Sequence, residues 1–277
     1  MTAFVPQKSA GFTLIELIVV IVLVGILAAI GGIFIVKPIE GYTALSRRAE
    51  LVDSADTAFR RMKRDIRLAV PNSVRVDGSG TMLELMETVD GGRYRAQIDP
   101  TDPTNNGDIL DFTKADNSFQ VLGSLDNGPQ VGESVVVYNF ANTGIFGNAY
   151  SGHNLADIET GSTADLIKLQ PPKHFRFSSP YQRFFVVDGP VSYVCDAVNG
   201  TLTRYWGYSA AQDANTSIAA MGASVSSALM TNHVSSCAFT YEPGTAERAG
   251  LVTLRLALTD SGETITLMQQ VHVENAP

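Results

Sequence analysis

Between residues 17 and 36 the chain has no charged side chain, a gap of 20 residues in a polymer that is 17% charged overall. An amphipathic surface helix needs a polar face, so this run excludes one. Its length matches the roughly 20 apolar residues a helix needs to cross a bilayer core. Cysteine is nearly missing: Cys195 and Cys237 are the two in 277 residues. That scarcity excludes a disulfide-dense miniature scaffold and, with scattered histidines, argues against a zinc site. Catalytic signatures are missing as well. His153, His174, His233 and His272 lie in dissimilar contexts without His-Glu-x-x-His spacing, and there is no nucleophile elbow, phosphate loop or dinucleotide fingerprint. The expectation is a protein that is not an enzyme and holds no metal or cofactor.

Basic charge is also short, 20 Lys and Arg against 28 Asp and Glu, for a net charge of −8. Residues 37–70 carry eight basic and five acidic side chains, whereas residues 71–277 carry eleven and twenty-two. The C-terminal part is therefore acidic, which excludes the basic footprint of a nucleic-acid binder.

What is present is concentrated at one junction. Gly11-Phe12-Thr13-Leu14-Ile15-Glu16 stands directly before the uncharged run. Glu16 puts a carboxylate at the mouth of an apolar helix, where an ion is costly unless paired. This junction resembles the class III signal of type IV pilins and of type II secretion pseudopilins. The resemblance implies cleavage after Gly11 by prepilin peptidase and N-methylation of the new terminus, Phe12. It also implies that Glu16 pairs with the terminal amine of a neighbouring subunit during assembly. The bare residues allow another reading of Glu16, a carboxylate reaching to the headgroups. The leader, 1–11, has one base, Lys8, and lacks the longer apolar core of a secretory signal.

A cytoplasmic N-terminus follows from where that peptidase works, and it places the rest of the chain in the periplasm. The charge count points the other way, because Lys37, Arg47 and Arg48 follow the run while Lys8 alone precedes it. With the C-terminal part in the periplasm, a disulfide between Cys195 and Cys237 is expected.

Beyond the run, Pro38 is expected to kink or open the helix. The helical pattern continues to about residue 70, ended by Pro71-Asn72. Leu45, Val52, Phe59 and Ile66, with Ala55, Met62 and Ala69, give a heptad stripe, and Asp65 falls among the charged residues of the other faces. From residue 73 the period changes to two. Strands are expected at 81–86, 94–98, 109–112, 119–122, 134–138, 166–169, 175–177, 183–188 and 191–195. Asp90-Gly91-Gly92 reads as a turn, residues 139–164 as a long exposed loop, and Asn199-Gly200 as a hairpin turn before 201–206. Residues 209–236, rich in small side chains, have room for a short helix. The pair 251–256 and 264–273, turning at 260–263, closes the chain. The oxygen-rich segment 99–108 has the chemistry calcium prefers, but Pro100 and Pro103 spoil an EF-hand spacing, which favours a solvated turn.

The expected class is α+β: a leader (1–11), an apolar assembly helix (12–36), an amphipathic stem (37–70) and a mainly antiparallel β-rich head (71–277). Pro71-Asn72-Ser73-Val74-Arg75-Val76, Val187-Asp188-Gly189-Pro190-Val191-Ser192-Tyr193 with Cys195, Ala249-Gly250-Leu251-Val252-Thr253-Leu254 and Gln270-Val271-His272-Val273 look like the O-type minor pilins of the mannose-sensitive haemagglutinin (MSHA) pilus. That resemblance implies a role in priming assembly at or near a fibre tip. The implied partners are minor and major pilins, prepilin peptidase, and an inner-membrane assembly platform with its ATPase. A J-type pseudopilin, or a membrane-anchored adhesin or enzyme that shares the signal, are the alternatives.

Overall fold

The computed structural model describes residues 11–98, 100–101, 107–210, 225–244 and 248–274, with the backbone alone for residues 32–36. Two compact units divide the chain, residues 1–50 and 51–277. One helix, α1, spans Leu14–Arg67, and its helical backbone runs through Pro38 without interruption. The proline withholds one amide donor yet does not end the helix. The expected opening there is corrected.

The second unit holds the last turns of α1 and twelve strands: β1 (Arg75–Val76), β2 (Met82–Tyr94), β3 (Asp116–Leu122), β4 (Ser134–Val137), β5 (Leu155–Asp157), β6 (Leu166–Lys173), β7 (Arg183–Asp196), β8 (Thr201–Trp206), β9 (Ser226–Thr231), β10 (Val234–Glu242), β11 (Gly250–Asp260) and β12 (Glu263–Val273). Every ladder between them is antiparallel. The fold is α+β. Six strands run in the order β5-β4-β7-β2-β3-β6, with β1 on β2 and β8 and β9 extending from β7. An Ile158–Leu169 bridge joins the β5 end to β6, and Glu159 N donates to Lys168 O at 2.8 Å. The six strands thereby close on themselves around Tyr94, Phe119, Val135, Ile167 and Phe184. Closure removes two exposed edges.

A second core lies between α1 and the sheets. Leu51, Ala55, Ala58, Phe59, Met62 and Ile66 pack with Leu83, Leu85, Tyr193, Leu202, Phe239, Leu254 and Leu256. Ala55, Phe59, Met62 and Ile66 of the expected stripe are buried, but its N-terminal members are not: Val52 is 39% and Leu45 67% exposed, and Leu51 and Ala58 are buried in the stripe beside them. Asp65, assigned to a solvated face, is fully buried on this stripe.

Strands β2 and β7 pass through both cores. In β2, Leu83 and Leu85 face the helix-side core and Tyr94 the barrel; in β7, Phe184 and Val186 face the barrel, Val191 and Tyr193 the helix. The β2–β7 register shifts between Met86 and Thr88 and again between Thr88 and Asp90. Irregularities of this kind re-aim side chains. The Asp-Gly-Gly segment is therefore not a turn, a correction with a steric cause. A Cβ at Gly91 would stand 3.0 Å from the Phe184 carbonyl oxygen, and one at Gly92 3.2 Å from the Phe184 ring. Glycine is there for close approach.

Three further expectations change. Residues 109–112 and 175–177 form no strand, although Leu110 and Phe175 fill the barrel core. Residues 139–164 contain a 3-10 turn at Ala149–Ser151 and strand β5, with Asn139, Asn148, Tyr150 and Asn154 buried. Asparagine amides make that burial tolerable by pairing with backbone. Asn139 donates to Pro71 O at 2.7 Å and accepts from Ala149 N at 2.8 Å. In segment 209–236, residues 225–236 are largely strand, and the remainder, 211–224, lies outside the described residues. So does most of the candidate calcium segment, residues 99 and 102–106.

The three-stranded sheet β10-β11-β12 joins the larger one covalently, because Cys195 of β7 is bonded to Cys237 of β10. The linked residues are 42 apart in sequence. Closing a loop of that size restricts the unfolded chain, so Cys195→Ala/Cys237→Ala is expected to lower stability by roughly 2–4 kcal/mol. Urea unfolding with and without reductant checks it: reductant should lower the midpoint of the parent protein and leave the double variant unchanged.

Candidate assembly segment

Thr13 and Glu16 start α1 as a reciprocal cap. Glu16 N donates to Thr13 Oγ1 at 3.3 Å, while Thr13 N and Thr13 Oγ1 both donate to Glu16 Oε2, at 3.0 and 2.9 Å. A threonine followed three residues later by glutamate is the capping-box pattern, which satisfies amide donors that the first turn leaves unpaired. The carboxylate also sits at the positive end of the helix dipole. This local role was readable as Thr-x-x-Glu before an apolar run and was not anticipated.

Residues 14–31 have a mean hydropathy of 3.0, long and apolar enough to cross a membrane. No side chain from Gly11 to Ile30 is buried. Phe12 is 84% exposed. Nothing stands within 4 Å of where a Cβ on Gly11, Gly25 or Gly31 would lie. The glycine before the junction is thus not required by the chain's own packing.

In the second unit, the C-terminal turns of α1 are held by charge. Asp65 Oδ2 accepts from the Tyr193 hydroxyl at 2.6 Å and from Arg204 Nε at 2.8 Å, and Arg61 Nε lies 2.9 Å from Oδ1. Arg204 reaches on to Glu87 at 2.7 Å. Burial, with help from the neighbouring Asp65 charge, raises the Glu87 carboxyl above its usual range, while Arg204, Arg61 and Arg64 pull against that. Burial and Asp65 likewise push the Tyr193 hydroxyl upward. A second buried pair, Arg75 with Glu84, is completed by the Tyr208 hydroxyl at 2.9 Å from Glu84 and by the Tyr150 ring 3.6 Å below the Arg75 guanidinium. Neither network was anticipated. The signal lay in strand phase: Leu202 and Arg204 share the buried face of β8, and an arginine there demands an acid.

In both polar clusters the named partners come from the chain itself. Among the described residues, no group of three or more His, Cys, Asp or Glu could hold a metal ion.

Residues 6–32 match the family model described as the prokaryotic N-terminal methylation motif. The match takes in Gly11, the cap and the apolar helix as far as residue 32. No curated protein and no solved structure matches the chain.

Proposed function

We propose that this type IV pilin-like chain is a non-enzymatic minor pilin of an MSHA-like type IV pilus, priming assembly and standing at or near the fibre tip. The observation that carries the reading is the methylation motif joined to a helix whose apolar side chains are exposed from Phe12 to Ile30. Such a surface is stable in lipid or against helices of its own kind. On this reading the leader is removed after Gly11 by prepilin peptidase, and Phe12 becomes the methylated terminus. The helix waits in the inner membrane with the head in the periplasm. A platform and its ATPase then move it from lipid to protein neighbours, which needs shape-matched helices more than new hydrophobic gain.

Glu16 has two jobs on this reading, the cap to Thr13 and an ion pair to a neighbour's terminal amine. Thr13→Ala removes the cap and keeps the carboxylate; Glu16→Ala removes both. Pili per cell are expected to fall steeply with Glu16→Ala and little with Thr13→Ala, both proteins remaining processed. Equal piliation in the two variants would overturn the pairing role. An in-frame deletion tests the machine. Loss of surface pili with normal secretion supports the reading, loss of secretion with normal pili moves the chain to a pseudopilus, and no change in either favours an adhesin.

A further inference from the structure

Strand β12 ends the three-stranded sheet, and among the described residues it pairs with β11 alone. The opposite side of that sheet is engaged: Phe239 N of β10 donates to Gly80 O at 2.8 Å and Val234 N to Gly200 O at 3.0 Å. The β11–β12 ladder is unbroken over eleven residue pairs, Gly250–Val273 to Asp260–Glu263. Its two-residue turn has both central residues at positive φ, Ser261 at 47° and Gly262 at 88°, the mirror-image turn that matches strand twist. Such a turn makes Asp260–Glu263 a hydrogen-bonded pair. Alternation then directs the backbone N–H and C=O of Thr264, Thr266, Met268, Gln270 and His272 away from β11. Protein edges are ordinarily guarded by charge, proline or bulges. Residues 264–273 contain no Lys, Arg, Asp, Glu or Pro, and no bulge interrupts them.

We propose that β12 is a self-association edge that pairs antiparallel with β12 of a second copy, about a two-fold axis at Met268. The occupant follows from composition. With that axis, Met268 faces Met268 of the second copy, Thr266 faces Gln270, and Thr264 faces His272. Glu263 falls opposite Val273. No acid meets an acid along the whole ladder, although residues 71–277 carry an excess of eleven acidic over basic side chains. Five alternate residues from Thr264 to His272, all with exposed side chains, supply outward main-chain hydrogen bonds in the manner of strand addition. The association does not depend on entry into a fibre.

Cysteine crosslinking in membranes of the full-length chain reads the register, since the native cysteines are already bonded to each other. Met268→Cys is expected to give a disulfide dimer under mild oxidation, because Cα atoms of a facing pair lie about 5.5 Å apart. Thr266→Cys alone would place its two sulfurs on Cα atoms about 13 Å apart along the strands and give none. Chains carrying Thr266→Cys mixed with chains carrying Gln270→Cys should crosslink to each other. In the Met268→Cys background, Thr266→Pro removes an outward N–H that has no ladder partner among the described residues. It should lower the dimer yield at least about tenfold while leaving the melting profile of the head near that of its parent. Thr266→Lys serves if the proline variant fails to fold. Equal crosslinking at 266, 268 and 270, crosslinking at none, or a Met268→Cys adduct with a chain of different mass would overturn the proposal.

Discussion

Asp65→Ala is expected to destabilise the head by about 3–5 kcal/mol, the range for removing one partner of a buried charge network. The cost comes less from bonds lost than from what remains. Arg204 is 8% exposed and keeps its guanidinium inside, with Glu87 as its remaining acid. The Tyr193 hydroxyl, buried with it, loses its acceptor. Trp206, the only tryptophan, lies in the same strand with Arg204 5.1 Å over its ring, so its fluorescence during urea unfolding reports the loss directly. Asp65→Ala/Arg204→Met should recover part of the cost, since both charges are then gone. A midpoint near that of the parent for Asp65→Ala would show that the network does not anchor α1 to the sheet.

Gly11→Ser is expected to leave residues 1–11 attached and Phe12 unmethylated, an all-or-none effect visible by intact mass. The structure makes this a clean test, because a Cβ at Gly11 meets nothing within 4 Å. The substitution therefore costs the folded chain nothing, and any failure belongs to recognition by the peptidase. Urea unfolding of the head should match the parent protein. A correctly processed Gly11→Ser chain would overturn the cleavage assignment.

How much was legible depended on the range of the interactions. The apolar helix and the final hairpin declare themselves locally, the one by 20 uncharged residues, the other by alternation on either side of Asp-Ser-Gly-Glu. The motif at 11–16 was legible for the same reason. What sequence misread was settled at long range. Asp-Gly-Gly has the local chemistry of a turn, and only the Phe184 backbone and ring, more than ninety residues away, explain it. Asp65 looks like any helix-surface acid until Tyr193 and Arg204 arrive from 128 and 139 residues downstream. The Asn- and Gly-rich stretch after Tyr138 resembles solvent-exposed loop because asparagine serves both settings; its amides turn inward here to satisfy buried backbone.

The irregular ladder between β2 and β7 carries a consequence for how this head tolerates change in length. Side chains on a strand alternate with a period of two, so one residue added or removed inverts everything that follows. The shifts between Met86 and Asp90 work as phase adjusters, setting which parity faces the barrel independently of which parity faces the helix. Deleting one residue there would leave Leu83 and Leu85 in place and turn Tyr94 toward solvent. The same deletion on the helix side of the shifts would instead expel Leu83 or Leu85. The two cores share their longest strands, yet each keeps its own frame.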